Sequence, residues 1–132
     1  MPQEPFYSED KQIARFQEWL MSNARWRDFF LTAASLGLYC SEWKWVSGNR
    51  IEINRMPFEQ DLWETRLADG YFQLDEYKYI ERIFIPRSYK PYPGVGLVRE
   101  QDVDGLIEAL GRTGKKFPFE VDERGFTIYG YK

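Results

Sequence analysis

The side chains that most often do chemistry are scarce in this chain of 132 residues: there is no histidine, and Cys40 is the lone cysteine. Histidine is the side chain whose unperturbed pKa falls between pH 5 and 8, and the commonest metal ligand. Its absence removes Ser-His-Asp and Cys-His nucleophile activation and any His-based zinc or iron site. What is left is carboxylate, Lys, Tyr or Arg chemistry. The densest carboxylate group is Glu59, Asp61 and Glu64, in which Asp61 and Glu64 share a face if the segment is helical. A working acid–base pair needs one pKa displaced by burial or by its like-charged neighbour, and the polar surroundings of these three predict a solvated face instead. Glu81, between Ile80 and Arg82, is expected to be a buried carboxylate satisfied in a structural pair. Cys40, followed by Ser41 and Glu42, has no neighbouring base and reads as a small hydrophobe. No catalytic, cofactor-binding or metal-ligating set is expected, and the chain is read as a non-enzyme.

Recognition chemistry is better represented. Five Trp, nine Tyr and ten Phe make 18% of the chain aromatic; aromatics fill small cores and also anchor interfaces. The segment from Arg87 to Gly96 is rich in Tyr, Pro and Gly, with X-Pro bonds at Pro91 and Pro93 that lower the entropy of ordering it. Arg87, Tyr89, Lys90 and Tyr92 are its candidate partner-binding residues, since Tyr with Arg is an interface composition; the competing reading is a stiff connector. Its Gly94-Val95-Gly96 is no dinucleotide fingerprint, lacking the third glycine and the strand-turn-helix setting. Thr127, Tyr129 and Tyr131 alternate along the last strand, so Tyr129 and Tyr131 are read as exposed on an edge, available to a partner or to a second copy through strand addition. Trp43, Trp45 and Trp63 with Arg50, Arg55, Arg82, Arg87 and Lys90 could stack and neutralise single-stranded nucleic acid. That reading is disfavoured by a net charge of −3, with 18 basic and 21 acidic residues interspersed.

These residues need elements to position them. Residues 1–7 read as a flexible arm and residues 8–132 as one domain, long enough to bury about two thirds of the unfolded surface. Ser8 caps a first helix carrying Ile13, Phe16, Leu20, Met21 and Ala24; Asn23 caps a second carrying Trp26, Phe29, Phe30 and Ala33. The two can form one bent rod, ended by Gly37 as a left-handed C′ residue. Residues 39–56 form a hairpin. A three-residue loop, Ser47-Gly48-Asn49, pairs Trp45 with Ile51, Trp43 with Ile53 and Lys44 with Glu52. Pro57 opens a short helix bearing Phe58, Leu62, Trp63 and Leu67, closed by Asp69-Gly70. Residues 77–86 are a strand with apolar residues on both faces, and residues 87–98 a loop. Val103, Leu106, Ile107 and Leu110 mark a helix from about Gln101, stopped by Gly111. A final hairpin pairs Val121 with Phe126 and Phe119 with Ile128 across a four-residue turn, and Pro118 puts its first strand at an edge. The order is α-α-β-β-α-β-α-β-β, an α+β domain with a mostly antiparallel sheet of about five strands and three to four helices.

Several stretches resemble a small uncharacterised bacterial family with a domain of unknown function. They are the strand Tyr79-Ile80-Glu81-Arg82-Ile83-Phe84-Ile85-Pro86 and the ending from Glu120 through Gly125-Phe126-Thr127-Ile128-Tyr129-Gly130-Tyr131. Trp26-Arg27-Asp28-Phe29-Phe30 and Trp43-Lys44-Trp45-Val46 are similar as well. The resemblance spans residues 12–131 and rests on structural strands and turns, so it implies a bacterial, cytosolic, single-domain protein and no catalytic residue or ligand. A lone cysteine fits a reducing compartment. The start Met1-Pro2-Gln3-Glu4-Pro5 has no signal-peptide pattern. No apolar run reaches the 18 or so residues of a membrane span. The expectation is therefore a non-catalytic, cytoplasmic protein-binding module, immunity- or adaptor-like, with no cofactor. A small carboxylate, Tyr or Lys enzyme and a weak nucleic-acid binder are the alternatives.

Overall fold

A computed structural model describes residues 13, 16, 19–67, 76–91 and 96–132. Over these residues the chain is an α+β domain built on a five-stranded antiparallel sheet. Two α-helices are found among the described residues rather than the three to four expected.

Helix α1 spans Asn23–Ser35. Its cap is Ser22, one residue before the predicted Asn23: the Ser22 hydroxyl accepts the Arg25 N–H at 3.1 Å. At its far end Gly37 has φ +68°, and the Gly37 and Leu38 N–H groups donate to Ala34 and Ala33 carbonyls, the Schellman arrangement expected for this glycine. Trp26, Phe29, Phe30 and Ala33 are buried along the predicted stripe. The chain before Ser22 is no continuation of the helix. Trp19 bridges to Tyr131 and the Leu20 N–H donates to the Gly130 carbonyl at 2.9 Å, so the bent rod is broken by an extended piece. Most of the first predicted helix lies outside the described residues.

Strands β1 (Cys40–Trp45) and β2 (Ile51–Arg55) form the first hairpin. Trp43 faces Glu52 and Lys44 faces Ile51, a one-residue slip from the predicted register. Side-chain hydrogen bonding decides the matter. A buried indole needs an acceptor: the Trp43 Nε1–H donates to Ser41 Oγ at 2.7 Å, Ser41 donates on to the Asn54 carbonyl at 2.7 Å, and the Trp45 Nε1–H reaches Glu52 at 3.0 Å. The slip turns Ile51 and Ile53 out, leaving Ile53 74% exposed.

The predicted helix from Pro57 is also absent. A single 3-10 turn, Glu59–Asp61, is followed by bridges between Leu62 and Leu67 and between Arg66 and Glu76. Past Asp61 the backbone is extended at Leu62, and the Trp63 N–H donates to the Arg66 carbonyl at 3.0 Å, so the chain turns back on itself instead of continuing the helical ladder. The Asp61 carboxylate accepts the Phe58 N–H at 2.8 Å and pairs with Arg55 at 3.0 Å. Asp69-Gly70 falls outside the described residues.

Strand β3 (Ile80–Pro86) runs up the centre between β1 and β7 (Gly125–Tyr129), with β6 (Phe119–Val121) at the far edge, in the order β2-β1-β3-β7-β6. The last hairpin has the predicted register, Val121 against Phe126 and Phe119 against Ile128. Strands β4 (Ser88–Tyr89) and β5 (Arg99–Glu100) make a separate small ladder that closes the base of the predicted loop. Helix α2 (Val103–Arg112) is capped by Asp102; it runs past the predicted stop at Gly111 and ends at Thr113, followed by Gly114 with φ +73°. Both helices cover the same sheet face. Phe29 stacks on Phe126 at 6.0 Å, Phe30 on Trp43 at 5.5 Å, and Val103, Leu106 and Leu110 complete the core with Ile83, Ile85 and Ile128. The opposite face, bearing Glu42, Lys44, Ile51, Arg82, Phe84, Thr127 and Tyr129, lines a shallow hollow of about 230 Å³.

Candidate functional site

A concavity lies where the β4–β5 ladder faces the end of the β1–β2 pair. It measures about 710 Å³ and is lined by Gly37, Tyr39, Cys40, Ile53, Asn54, Arg55, Tyr89, Lys90, Pro91 and Arg99, within the size range of ligand clefts. Its two walls are built differently. On one side the register slip presents Ile53 and Arg55 of β2. On the other, Tyr89 and Arg99 are cross-strand partners, so their side chains leave the ladder on one face. Lys90 and Pro91 extend that wall.

Gln101 holds the walls together. Its Oε1 accepts the N–H groups of Tyr39 and Cys40 at 2.8 and 2.9 Å, and its Nε2 donates to the carbonyls of Cys40 and Pro86 at 3.0 and 2.9 Å. One amide thus ties the start of β1 to the end of β3, while the Gln101 N–H donates to the Arg87 carbonyl at 2.8 Å. The cleft contains three cations and no carboxylate among its lining residues. Arg55 is committed to Asp61 and stacks over Phe58; Lys90 and Arg99 make no ion pair with another described residue. Burial, then the nearby Glu42 charge, pushes the Cys40 thiol up. It is therefore a neutral thiol at pH 7, not an activated nucleophile. The arrangement can bind a negatively charged group; it offers no acid–base pair.

The predicted partner-binding residues do not all meet there. Tyr89 and Lys90 do. Arg87 is spent on structure, with its guanidinium against Asp104 at 3.0 Å and the Asp122 carbonyl at 3.3 Å. Tyr92 lies outside the described residues. Tyr129 sits on the sheet face opposite the two helices, donating to Glu120 at 3.1 Å; burial and that carboxylate push its phenol up. The reading of Tyr131 as exposed on an edge is corrected: it is 4% exposed, its hydroxyl donates to the Lys78 carbonyl at 2.6 Å, and its ring lies 5.2 Å from Phe16. Strand β7 is interior, because β6 pairs along its outer side; the edge belongs to β6, where Pro118 had indicated one.

Two carboxylates, Glu81 and Asp61, are buried among the described residues. Glu81 pairs with Lys44 at 2.7 Å and with Arg82 at 2.6 Å, the structural neutralisation expected of it. Asp61 is 3% exposed rather than solvated, whereas Glu59 and Glu64 are exposed. Trp43 is core and Trp63 is exposed at a distance from the cleft lining. Among the described residues no group of three or more His, Cys, Asp or Glu could hold a metal, and no helix is long and apolar enough to cross a membrane. Sequence reasoning passed over Tyr39, Ile53, Arg99 and Gln101. The signal for Arg99 was its spacing from Tyr89 across a Pro/Gly-rich hairpin. The other three had none, because they meet only through the sheet. No family model, curated protein or solved structure matches this chain.

Proposed function

We propose that the protein is a non-catalytic protein-binding module of the bacterial cytoplasm, immunity- or adaptor-like, that receives its partner at the cleft between β2 and the β4–β5 hairpin. The observation that carries this reading is the composition of the lining: exposed Ile53 and Tyr39, half-buried Tyr89, and cations without a carboxylate. Aromatic and aliphatic anchors ringed by positive charge are the makings of an interface. The buried carboxylates do not line the cleft and are each held by cations, Glu81 by Lys44 and Asp61 by the cleft's own Arg55.

The test is affinity capture of the tagged chain from its native lysate at physiological salt, read by quantitative mass spectrometry against an untagged control. One stoichiometric protein partner is expected. Tyr89→Ala with Lys90→Ala should weaken it at least tenfold while the circular dichroism spectrum is unchanged. Absence of any enriched protein overturns the reading; a partner held equally by the double variant moves the docking surface away from the cleft.

A further inference from the structure

The geometry points to an extended, acidic peptide segment of the partner as the occupant of this cleft, lying between the β2 edge and the Tyr89–Arg99 wall. The inference rests on the protein-binding reading above and adds the chemistry of what is bound.

Three features select that occupant. The chain as a whole is acidic, at −3, yet the cleft lining carries Arg55, Lys90 and Arg99 and no carboxylate. With Arg55 paired to Asp61, exposed Lys90 and Arg99 are the charges a ligand meets, and they favour anions and raise the on-rate for them. Lys90 and Arg99 have no ion pair with another described residue, so a ligand carboxylate there competes with none of the described carboxylates. Next, the shape is a trough open to solvent, bounded on one side by β2, the terminal strand of the sheet among the described residues. An exposed strand edge accepts an extended chain by main-chain pairing, with alternate side chains supplying specificity. Finally, Ile53 is 74% exposed and Tyr39 54% exposed beside the cations, so the fitting segment alternates acidic with apolar or aromatic residues.

Nucleic acid fits less well. Strong phosphate binding needs a run of cations along a backbone track. Here Arg55 is already paired with Asp61, and exposed Glu52 and Glu100 neighbour Ile53 and Arg99 in sequence.

A random twelve-residue peptide display library panned on the intact, biotinylated chain tests this. Enriched peptides should be acidic with interspersed apolar residues. The best of them, synthesised with a fluorophore, should lose at least tenfold in affinity to Lys90→Glu/Arg99→Glu, and should weaken several-fold between 50 and 500 mM salt. Both substituted residues are exposed, and circular dichroism reports whether the variant is folded. An Ile53→Ser variant, which leaves the charges in place, should also weaken the peptide. Failure to enrich acidic peptides, or equal binding by the charge-reversed variant, overturns the inference. Tighter binding of a twelve-nucleotide uridine RNA, or of inorganic phosphate at matched salt, overturns it too. A lysate partner retained by the charge-reversed variant overturns the acidic docking mode while leaving the protein-binding module standing.

Discussion

Glu81 shows how one residue can be polar, buried and structural at once. It is the extra residue of an irregularity where β3 pairs with β1, since Lys44 faces Arg82 and Trp45 faces Ile80. Its two oxygens are divided between Lys44, 12% exposed, and Arg82, 40% exposed. Breaking a buried pair from one side strands a charge, whereas replacing both partners with apolar residues can be nearly neutral. Glu81→Ala should therefore lower the free energy of unfolding by about 3 kcal/mol, measured as a shift of the urea midpoint. Arg82→Ala, on the wetter partner, should cost about 1 kcal/mol or less. Lys44→Met with Glu81→Leu should recover most of the loss. Equal costs for Glu81→Ala and Arg82→Ala would show that the carboxylate is solvated in solution.

At the scale of elements, two glycines make opposite predictions. Gly130 follows β7 where its backbone crosses close to β3: a Cβ there would collide with the Ile80 carbonyl oxygen, and the Trp26 ring lies 3.1 Å away. Gly111 lies within α2, with open space where its Cβ would go. Gly111→Ala should stabilise the fold by about 1 kcal/mol through helix propensity, and Gly130→Ala should destabilise it, both read by thermal unfolding. A neutral Gly130→Ala would mean that β3 and β7 are less closely paired than described. The same elements mark what could be read locally. The α1 stripe, its Gly37 terminus and the register of the last hairpin follow from spacing alone. The helix predicted from Pro57 fails because the chain turns back after Asp61, bridging Leu62 to Leu67. The first hairpin slips because indole and hydroxyl partners, rather than the isoleucines, select the pairing.

For the whole molecule, the missing histidine has a thermodynamic consequence. Groups with displaced pKa values fall into two sets. Asp122, held down chiefly by the Arg124 and Gly125 N–H groups, and Glu120, held down by Lys132 and Tyr129, are depressed. Their stabilisation is present above the unfolded values near 4 and is lost as pH falls through the folded ones. Tyr77 and Tyr129 are pushed up mainly by burial, as is Cys40; their stabilisation is full below the unfolded values and is lost as pH rises through the folded ones. Nothing of the imidazole kind titrates between. The melting temperature should be flat from about pH 5.5 to 7.5 and fall on both sides, as a pH series of thermal melts would show. A slope across that interval would require a carboxylate or amine strongly displaced into it.

The sequence by itself determined the α+β class, the central strand, the stripes of α1 and α2 and the absence of imidazole chemistry, because these depend on residue type and on spacing along the chain. Tertiary structure decided which sheet face the two helices cover, the interior place of β7 and the burial of Tyr131. It also decided the meeting of Tyr39, Ile53, Tyr89 and Arg99 around one cleft. Each of those is a relation between residues far apart in sequence. It is fixed by which strand lies beside which, and by buried donors such as the Trp43 indole and the Gln101 amide finding acceptors. Local periodicity carries no record of that pairing.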